Sequence, residues 1–221
     1  MVRRTKEEAQ QTRNALLDAA EREFSRRGVG ATTLGDIAKA AGVTRGALYH
    51  HFQDKRDLVE AMTERALSPA RELNSRGIAE GAPFLPQLRD GFSKFLHLVV
   101  NNQQVRDTFT ILYLKCEAVE ANAAIRQFHK HEFNLCLTDM AADAAHAIAR
   151  GELPPHLKPR QVAMAVFALI DGLLLNWLDE PHSFDLVTEG MAALDILLLG
   201  LVARQPAAAL GPETQTAVSS L

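Results

Sequence analysis

The sequence lacks most of the features that mark enzymes and disulfide-rich proteins. It contains two cysteines, Cys116 and Cys136, no CxxC pair, and no two histidines at metal-ligand spacing. Isolated cysteines of this kind are typical of reduced, buried thiols in the cytosol, and a disulfide or redox sensor is the less favoured alternative. The motifs GxSxG, HExxH and the glycine-rich phosphate loop are also missing. We therefore expect no enzymatic activity, no cofactor and no metal site.

Long apolar runs and an apolar N-terminal leader are missing as well. The opening residues, MVRRTKEEAQ, are polar and basic, unlike a signal peptide. Two apolar stretches, 162–178 and 192–202, are interrupted before they reach the ~18 apolar residues of a membrane span. We expect a cytoplasmic protein with no membrane partner. The net charge of −3 is small, but residues 1–60 are slightly basic and the remainder is acidic, which permits a DNA contact near the N-terminus.

The stretch from Thr32 to Lys55 predicts two short helices joined by a tight turn. Thr33 and Asp36 are spaced as in a capping box, with Asp in place of the usual Glu or Gln. Gly42 ends the first helix, because glycine accepts the left-handed conformation found at helix C-termini. Thr44 then caps the second helix. Together these signals predict a helix-turn-helix, whose second helix enters the major groove of DNA.

The outer face of the second helix has side chains suited to DNA. Leu48 and Phe52 are four residues apart and face inward, which leaves the opposite side polar. Arginine can grip a guanine edge or a phosphate, and hydroxyl and imidazole groups can bond to phosphate oxygens. The alternative is a small helical hairpin with a solvated face. The residues that we expect to contact DNA are Thr33, Thr44, Arg45, Gly46, Tyr49, His50, His51 and Lys55, with Arg3 and Arg4 of the basic N-terminal arm.

Helical periodicity covers the rest of the chain, and no strand alternation or repeat is visible. The first helix is predicted from about Glu8 to Arg27, a second long one begins near Lys55, and the linker is 77–86. Pro69 either kinks the helix that begins near Lys55 or, with Ser68, restarts it. Further helices are predicted at about 84–101, 103–115, 119–149, 159–178 and 184–203. The expected domains are 1–55, 56–204 and a disordered tail at 205–221.

The motif and its surroundings resemble one protein family. The segment TTLGDIAKAAGVTRGALYHHF, followed by DK, resembles the DNA-binding domain of the TetR family of transcriptional repressors, although many relatives carry Trp at the position of His50. The segments ILYLKCE at 111–117 and DGLLLNWL at 171–178 are similar to the AcrR-like repressors of multidrug efflux. The resemblance implies an all-α fold, with an N-terminal three-helix helix-turn-helix domain and a C-terminal helical domain for ligand binding and dimerisation.

The last two predicted helices are apolar on most sides, and such helices must be covered all round. A small helical body cannot do this alone, so we expect a homodimer through the helices near 159–178 and 184–203. The family resemblance implies the same four-helix interface. Two recognition helices would then read a palindromic operator on double-stranded DNA.

Asp171 is the most unusual residue of the predicted body, because it interrupts an apolar helix. A buried carboxylate requires a partner. One interpretation is a structural hydrogen bond, and the other is a ligand pocket favouring cationic or hydrogen-bonding compounds. The residues predicted to line that pocket are Phe109, Tyr113, Met140, Phe167, Ile170, Asp171 and Leu174, although such a set is also typical of a plain core.

The sequence and the resemblance together predict a repressor of a multidrug-efflux operon that apolar, aromatic or cationic compounds release from its operator. One alternative is a TetR-like regulator that senses a metabolite, a lipid or a quorum signal. The other is a helical module that binds proteins and never contacts DNA.

Overall fold

Helices form the regular structure throughout residues 6–75, 83–181 and 183–203, which are the residues that the computed structural model describes. No strand occurs within these ranges, and the all-α prediction is confirmed. The helices there are α1 (Lys6–Arg27), α2 (Leu34–Ala40), α3 (Arg45–Tyr49), α4 (Lys55–Ser75), α5 (Phe84–Asn101), α6 (Gln103–Leu114), α7 (Ala123–Ala149), α8 (Pro159–Asp179) and α9 (Leu186–Val202), with a 3-10 turn at Glu120–Asn122 before α7.

The N-terminal helices share one hydrophobic core, which we call the head core. Helices of five and seven residues are too short to be stable alone. They are held because each buries large side chains against α1 and the first half of α4, where each such side chain contributes about 1.5–3 kcal/mol. Two residues of the body, Ile111 and Ile125, complete this core. Its largest fully buried members are Leu16, Leu17, Phe24, Ile37, Leu48, Leu58, Met62 and Ile111.

The predicted caps of the short helices are present. The Thr33 hydroxyl accepts from the backbone N–H of Asp36 at 3.1 Å, and Asp36 accepts from the backbone N–H of Thr33 at 3.0 Å, which confirms the capping box. Gly42 has a φ of +69° just after α2. Thr44 accepts from the backbone N–H of Ala47 at 3.1 Å and so caps α3.

Helix α4 connects the head to the rest of the molecule and passes through Pro69 without a break. The helix therefore does not restart at Ser68. A bend near this position stays a prediction. The predicted linker is shorter than expected at its C-terminal end, because α5 begins at Phe84. Pro86 lies in the first turn of α5, where backbone N–H groups have no acceptor within the helix, so the missing N–H of proline costs no hydrogen bond.

The body consists of α5 to α9 around a second core, and α8 lies at its centre in contact with α6, α7 and α9. Leu174, Trp177 and Leu178 of α8 are buried there. Pro159 starts α8 as predicted. By length and composition α8 is the one helix of the described residues that could cross a membrane, but the core helices of soluble proteins pass the same test.

An apolar face of α8 and α9 is left uncovered by the chain itself. Ile196 and Leu199 are 71% and 68% exposed, far more than a leucine or isoleucine in a core. We call this surface the α8–α9 face. Its exposed large apolar residues are Met164, Leu175, Ile196, Leu199 and Val202.

Three expectations cannot be compared with the structure. The basic arm with Arg3 and Arg4 and the tail at 205–221 lie outside the described residues. The domain boundary at residue 55 also stays a prediction.

Candidate functional site

The outer face of α3 is open to solvent, while its inner face is fully buried. Leu48 and Phe52 are 0% and 2% exposed, whereas Tyr49 is 49% exposed although it is aromatic. Of the other residues predicted to contact DNA here, Thr44, Arg45, Gly46 and His50 are exposed and His51 is half-buried. The structure therefore brings the predicted α3 residues together on one accessible surface.

The orientation of α3 is set by its neighbours in the head. The backbone N–H of Val43 donates to the Ala38 carbonyl at 3.0 Å and closes the turn between α2 and α3. Behind α3, the guanidinium of Arg13 lies 5.1 Å from the centre of the Phe52 ring, a cation–π contact from α1. The Arg45 side chain lies close to Gly35 at the start of α2. A Cβ placed on Gly35 would be 3.8 Å from the Nε of Arg45. The outer face of α3 is thus held in place by contacts with α1 and α2, and Arg45 lies at its edge beside α2.

Besides Thr44, which caps α3, Thr33 and Lys55 are predicted to contact DNA and already have side-chain hydrogen bonds within the protein. The Thr33 hydroxyl also donates to Asp36 Oδ2 at 2.7 Å. Its hydroxyl and backbone N–H, together with the nearby Arg27 guanidinium, hold the pKa of Asp36 below its usual value. Lys55 donates through Nζ to the carbonyl of Val29 at 2.8 Å, which ties the start of α4 to the end of α1. Thr33 remains exposed, whereas the Lys55 ammonium acts within the head.

The turn after α1 is hydrogen-bonded to the loop between α6 and α7. This loop comprises residues 115–122, and we call it the α6–α7 loop. The backbone N–H of Val29 donates to the Lys115 carbonyl at 2.8 Å, and that of Gly30 donates to Glu117 Oε2 at 3.0 Å. Gly28 has a φ of +80°, and a Cβ there would lie 2.2 Å from Glu117 Oε1. Hydrogen bonds from its own backbone and from Gly30 keep the pKa of Glu117 below its usual value, so the carboxylate is ionised at neutral pH.

The same loop forms one wall of a cavity in the body. Arg126 donates through Nη1 to the carbonyls of Glu117 and Val119, at 3.2 and 2.7 Å. Buried Asn122 donates to the Glu117 carbonyl at 3.0 Å. Arg126 also faces the cavity, which measures about 350 Å³ and lies between α6, α7 and α8. It is lined by Leu112, Cys116, Ile125, Arg126, His129, Lys130, Phe133 and Asp171.

Asp171 is the member of the predicted pocket that lies in this lining. Its Oδ1 accepts from the Tyr113 hydroxyl at 2.6 Å, so the predicted wall residue Tyr113 is its hydrogen-bond partner. Burial, followed by this bond, raises the pKa of the Tyr113 phenol, which therefore stays protonated and donates. The Tyr113 ring stacks edge-on against His129, 5.5 Å between centroids. Burial lowers the pKa of His129, so its imidazole is neutral at pH 7.

The other predicted pocket residues lie outside this lining: Phe109 and Leu174 are buried, and Phe167, Ile170 and Met140 are half-buried. Phe109 is 8% exposed and contacts Tyr113 with a centroid distance of 6.0 Å. The ring of Phe167 contacts that of the lining residue Phe133, with 5.5 Å between the ring centroids. Leu174 belongs to the body core, and Ile170 packs against that core. Met140 lies two helical turns beyond Phe133 on α7, about 10 Å along the axis.

Comparison with known proteins identifies the family. The model for bacterial regulatory proteins of the tetR family matches residues 16–62, and that for the C-terminal region of MAATS-type transcriptional repressors matches residues 83–202. The transcriptional regulator TtgR of Pseudomonas putida is 42% identical over 192 residues, 85% of this chain and 90% of TtgR. The chain belongs to the TetR family.

Two further proteins are similar to this TetR-family chain over most of its length. It is 41% identical to the regulator AcrR of Shigella flexneri over 203 residues, 90% of this chain and 93% of AcrR. The crystal structure of NalD, the secondary repressor of the MexAB-OprM multidrug efflux pump in Pseudomonas aeruginosa, superposes with a TM-score of 0.80. It is 33% identical, covering 90% of this chain and all of NalD. The predicted AcrR-like resemblance is confirmed.

Several residues that line the cavity or join the body to the head of this TetR-family protein were not predicted from the sequence. Arg126 and Lys130 are four residues apart, and His129 and Phe133 have the same spacing, so one face of α7 repeats cavity residues at helical intervals. That periodicity was available from the sequence. The role of Glu117 was not, because it depends on a contact with a turn 87 residues earlier in the chain.

Proposed function

We propose that this protein is a homodimeric, cytoplasmic repressor of a multidrug-efflux operon that leaves its palindromic operator when an apolar compound occupies the body. Membership of the TetR family and the similarity to AcrR and NalD support the efflux role. One observation supports the ligand response. The α6–α7 loop lines the cavity through Cys116, and through Lys115 and Glu117 it also accepts hydrogen bonds from the turn after α1.

The DNA-binding half of the proposal rests on the exposed face of α3. A recognition helix reads bases through its N-terminal residues, and here the N-terminal turn presents Thr44, Arg45 and Gly46 to solvent. Tyr49 and His50 follow one turn later, where they can bond to phosphates. These side chains provide both base and backbone contacts from a helix of five residues.

The dimer rests on the α8–α9 face. Five large apolar side chains exposed on two adjacent helices would be covered by the same face of a second copy, since a two-fold interface is self-complementary. Pairing of this kind would bring two α3 helices into one assembly related by a two-fold axis. They would contact half-sites about 34 Å apart on one face of the duplex.

Ligand release follows from the loop contacts. A compound in the cavity meets Cys116 and Arg126, and Arg126 holds the carbonyls of Glu117 and Val119. Any displacement of this loop changes the grip of Glu117 on Gly30, and with it the placement of the head on the body. A ligand that favours the displaced state by roughly 3–5 kcal/mol would move the dimer from bound to free.

A DNA-binding titration tests the proposal. A labelled duplex from the region upstream of the protein's own gene is titrated with the protein, and fluorescence anisotropy is read at several salt concentrations. We expect affinity that falls steeply with salt. Arg45→Ala should cost about 1–3 kcal/mol of binding if Arg45 reads a base, or reduce the salt slope by about one if it contacts phosphate.

The matched control is Arg160→Ala, because Arg160 is an exposed arginine in the first turn of another helix, α8. It should bind the duplex as the wild type does. Equal affinity of Arg45→Ala and wild type at every salt concentration would contradict the DNA-binding surface.

A further inference from the structure

The cavity has an unequal balance of charge. Arg126 and Lys130 lie one turn apart on α7 and both line it, whereas Asp171 of α8 is the one carboxylate in the lining. His129, between them, is neutral at pH 7 because burial lowers its pKa. A ligand that enters therefore meets two basic side chains and one carboxyl group.

The carboxylate of Asp171 is less available than the two cations. The Tyr113 hydroxyl donates to it at 2.6 Å, so a cationic ligand would have to share or replace an existing charge-assisted bond. That ligand would also lie near Arg126 and Lys130, which repel it. Asp171 alone would favour a cationic inducer, but Arg126 and Lys130 in the same lining oppose one.

Arg126 has partners that a ligand can replace. Its Nη1 donates to two neutral carbonyl oxygens, those of Glu117 and Val119. A carboxylate is a stronger acceptor than a carbonyl, and it can bind the guanidinium through two parallel hydrogen bonds. An anionic ligand would therefore compete directly with the α6–α7 loop for this side chain.

The remaining walls are apolar. Leu112, Ile125 and Phe133 line the cavity beside the charged groups. Its volume of about 350 Å³ falls in the range of ~300–1,000 Å³ for pockets that hold drug-sized molecules. The site thus combines an apolar surface for a ring system with a cationic end.

We propose that the inducer is an apolar ring compound with a carboxylate, which lies between Arg126 and Lys130 and draws Arg126 away from the α6–α7 loop. This inference rests on the proposed function, since it names the ligand class of the same cavity. It also assigns Arg126 as the residue through which ligand binding alters the hydrogen bonds between the α6–α7 loop and the head.

Three matched probes test the charge preference. The probes are 2-naphthoate, 2-naphthamide and 2-naphthylmethylammonium, which share one ring system and differ in charge. Dissociation constants are measured by calorimetry on the full-length protein, and operator release is followed by anisotropy. We expect naphthoate to bind roughly fivefold to tenfold more tightly than the amide, and the ammonium compound to bind most weakly.

Substitutions identify the residues responsible. Lys130→Gln should weaken naphthoate about twofold to fivefold, and Lys130→Arg should preserve its binding, because an exposed ion pair contributes modestly. Arg126→Lys should weaken naphthoate by roughly fivefold, since lysine keeps the charge but loses the planar fork. Lys94→Gln, an exposed lysine of α5 outside the cavity lining, is the matched control and should have no effect.

The outcomes separate this inference from the proposed function. If the ammonium compound binds most tightly and Asp171→Asn abolishes its binding, the acid preference is wrong while the repressor role stands. If naphthoate neither binds nor releases the operator, the ligand class is also wrong. Failure of the wild type to bind its upstream duplex at all would instead contradict the proposed function.

Discussion

At the scale of single residues, Glu117 joins two parts of the protein that are distant in sequence. Its carboxylate occupies the space beside Gly28 and Gly30 that a side chain would otherwise fill. Gly28 therefore has two reasons to be glycine, its φ of +80° and this close approach. Gly42 has a similar φ, of +69°, but a Cβ there would meet nothing within 4 Å.

This difference makes Gly42 a control for Gly28. Gly42→Ala should cost about 1–2 kcal/mol of stability for the left-handed backbone alone. Gly28→Ala should cost roughly 0.5–1.5 kcal/mol more, because it also displaces the carboxylate that bonds to Gly30. Denaturant unfolding of both variants measures the difference.

Repeating the comparison in a Glu117→Ala background isolates the contact. The excess cost of Gly28→Ala should then disappear. If it persists, the close approach to Glu117 does not determine the effect.

Asp36 gives a prediction about pH at the same scale. Hydrogen bonds from Thr33 and the nearby Arg27 lower its pKa in the folded state, so its ionised form stabilises the fold. That contribution is fully present above the pKa of the unfolded chain, near 3.9. It is lost as pH falls through the lowered folded pKa.

Asp36→Asn should therefore lower the melting temperature at pH 7. The difference from the wild type should shrink as the pH falls below about 4. Thermal unfolding followed by circular dichroism across this range checks the prediction. A difference that stayed constant from pH 7 to pH 2.5 would argue against the ionised cap.

At the scale of secondary structure elements, the short helices were predictable because their start and stop signals are local. Thr33, Gly42 and Thr44 act within a few residues of themselves, so their roles follow from sequence spacing. The continuation of α4 through Pro69 was not predictable, because neighbouring packing decides whether a helix tolerates a proline. The spacing of the α7 cavity residues is visible in the sequence, but the cavity itself forms between three helices, so the spacing alone does not show that these residues line it.

At this scale, the testable prediction is that the α8–α9 face forms the dimer interface. The double variant Ile196→Lys, Leu199→Lys places two charges on its most exposed apolar positions and should convert the dimer to a monomer. Size-exclusion chromatography with light scattering measures the mass, and operator affinity should fall in parallel. Leu135→Lys changes an exposed leucine of α7, 48% accessible and outside this face, and should leave the dimer intact.

If the double variant remained a dimer with wild-type operator affinity, the interface would have to lie elsewhere on the body.

At the scale of the whole molecule, the head and the body have separate cores, which meet where α1 and α4 pack against α6 and α7. Ile111 and Ile125 of the body enter the head core, and the α6–α7 loop adds the bonds to Val29 and Gly30. Displacement of the loop would break these bonds and so change how the head is held on the body. The family resemblance predicted the two-part organisation, but the contacts that couple the parts required the structure.

Removal of the Glu117 carboxylate should weaken the coupling without damaging either site. In Glu117→Ala we expect the dissociation constant for 2-naphthoate to change little, because the carboxylate points at the head. The ligand-induced loss of operator affinity, roughly 5-fold to 150-fold in a typical allosteric protein, should decrease. The measurement is operator anisotropy with and without saturating ligand.

Glu120→Ala is the control, since Glu120 is an exposed glutamate of the same loop. It should respond to ligand as the wild type does. Full ligand-induced release of Glu117→Ala would show that the coupling takes another route.

The position of the single tryptophan has a practical consequence for all these measurements. Trp177 is buried in the body core, and the head core contains phenylalanine but no tryptophan. Its emission therefore reports the environment of α8 and is insensitive to local melting of the head. Fluorescence and circular dichroism recorded on one sample would show, without any label, whether the two halves of the protein unfold together or one after the other.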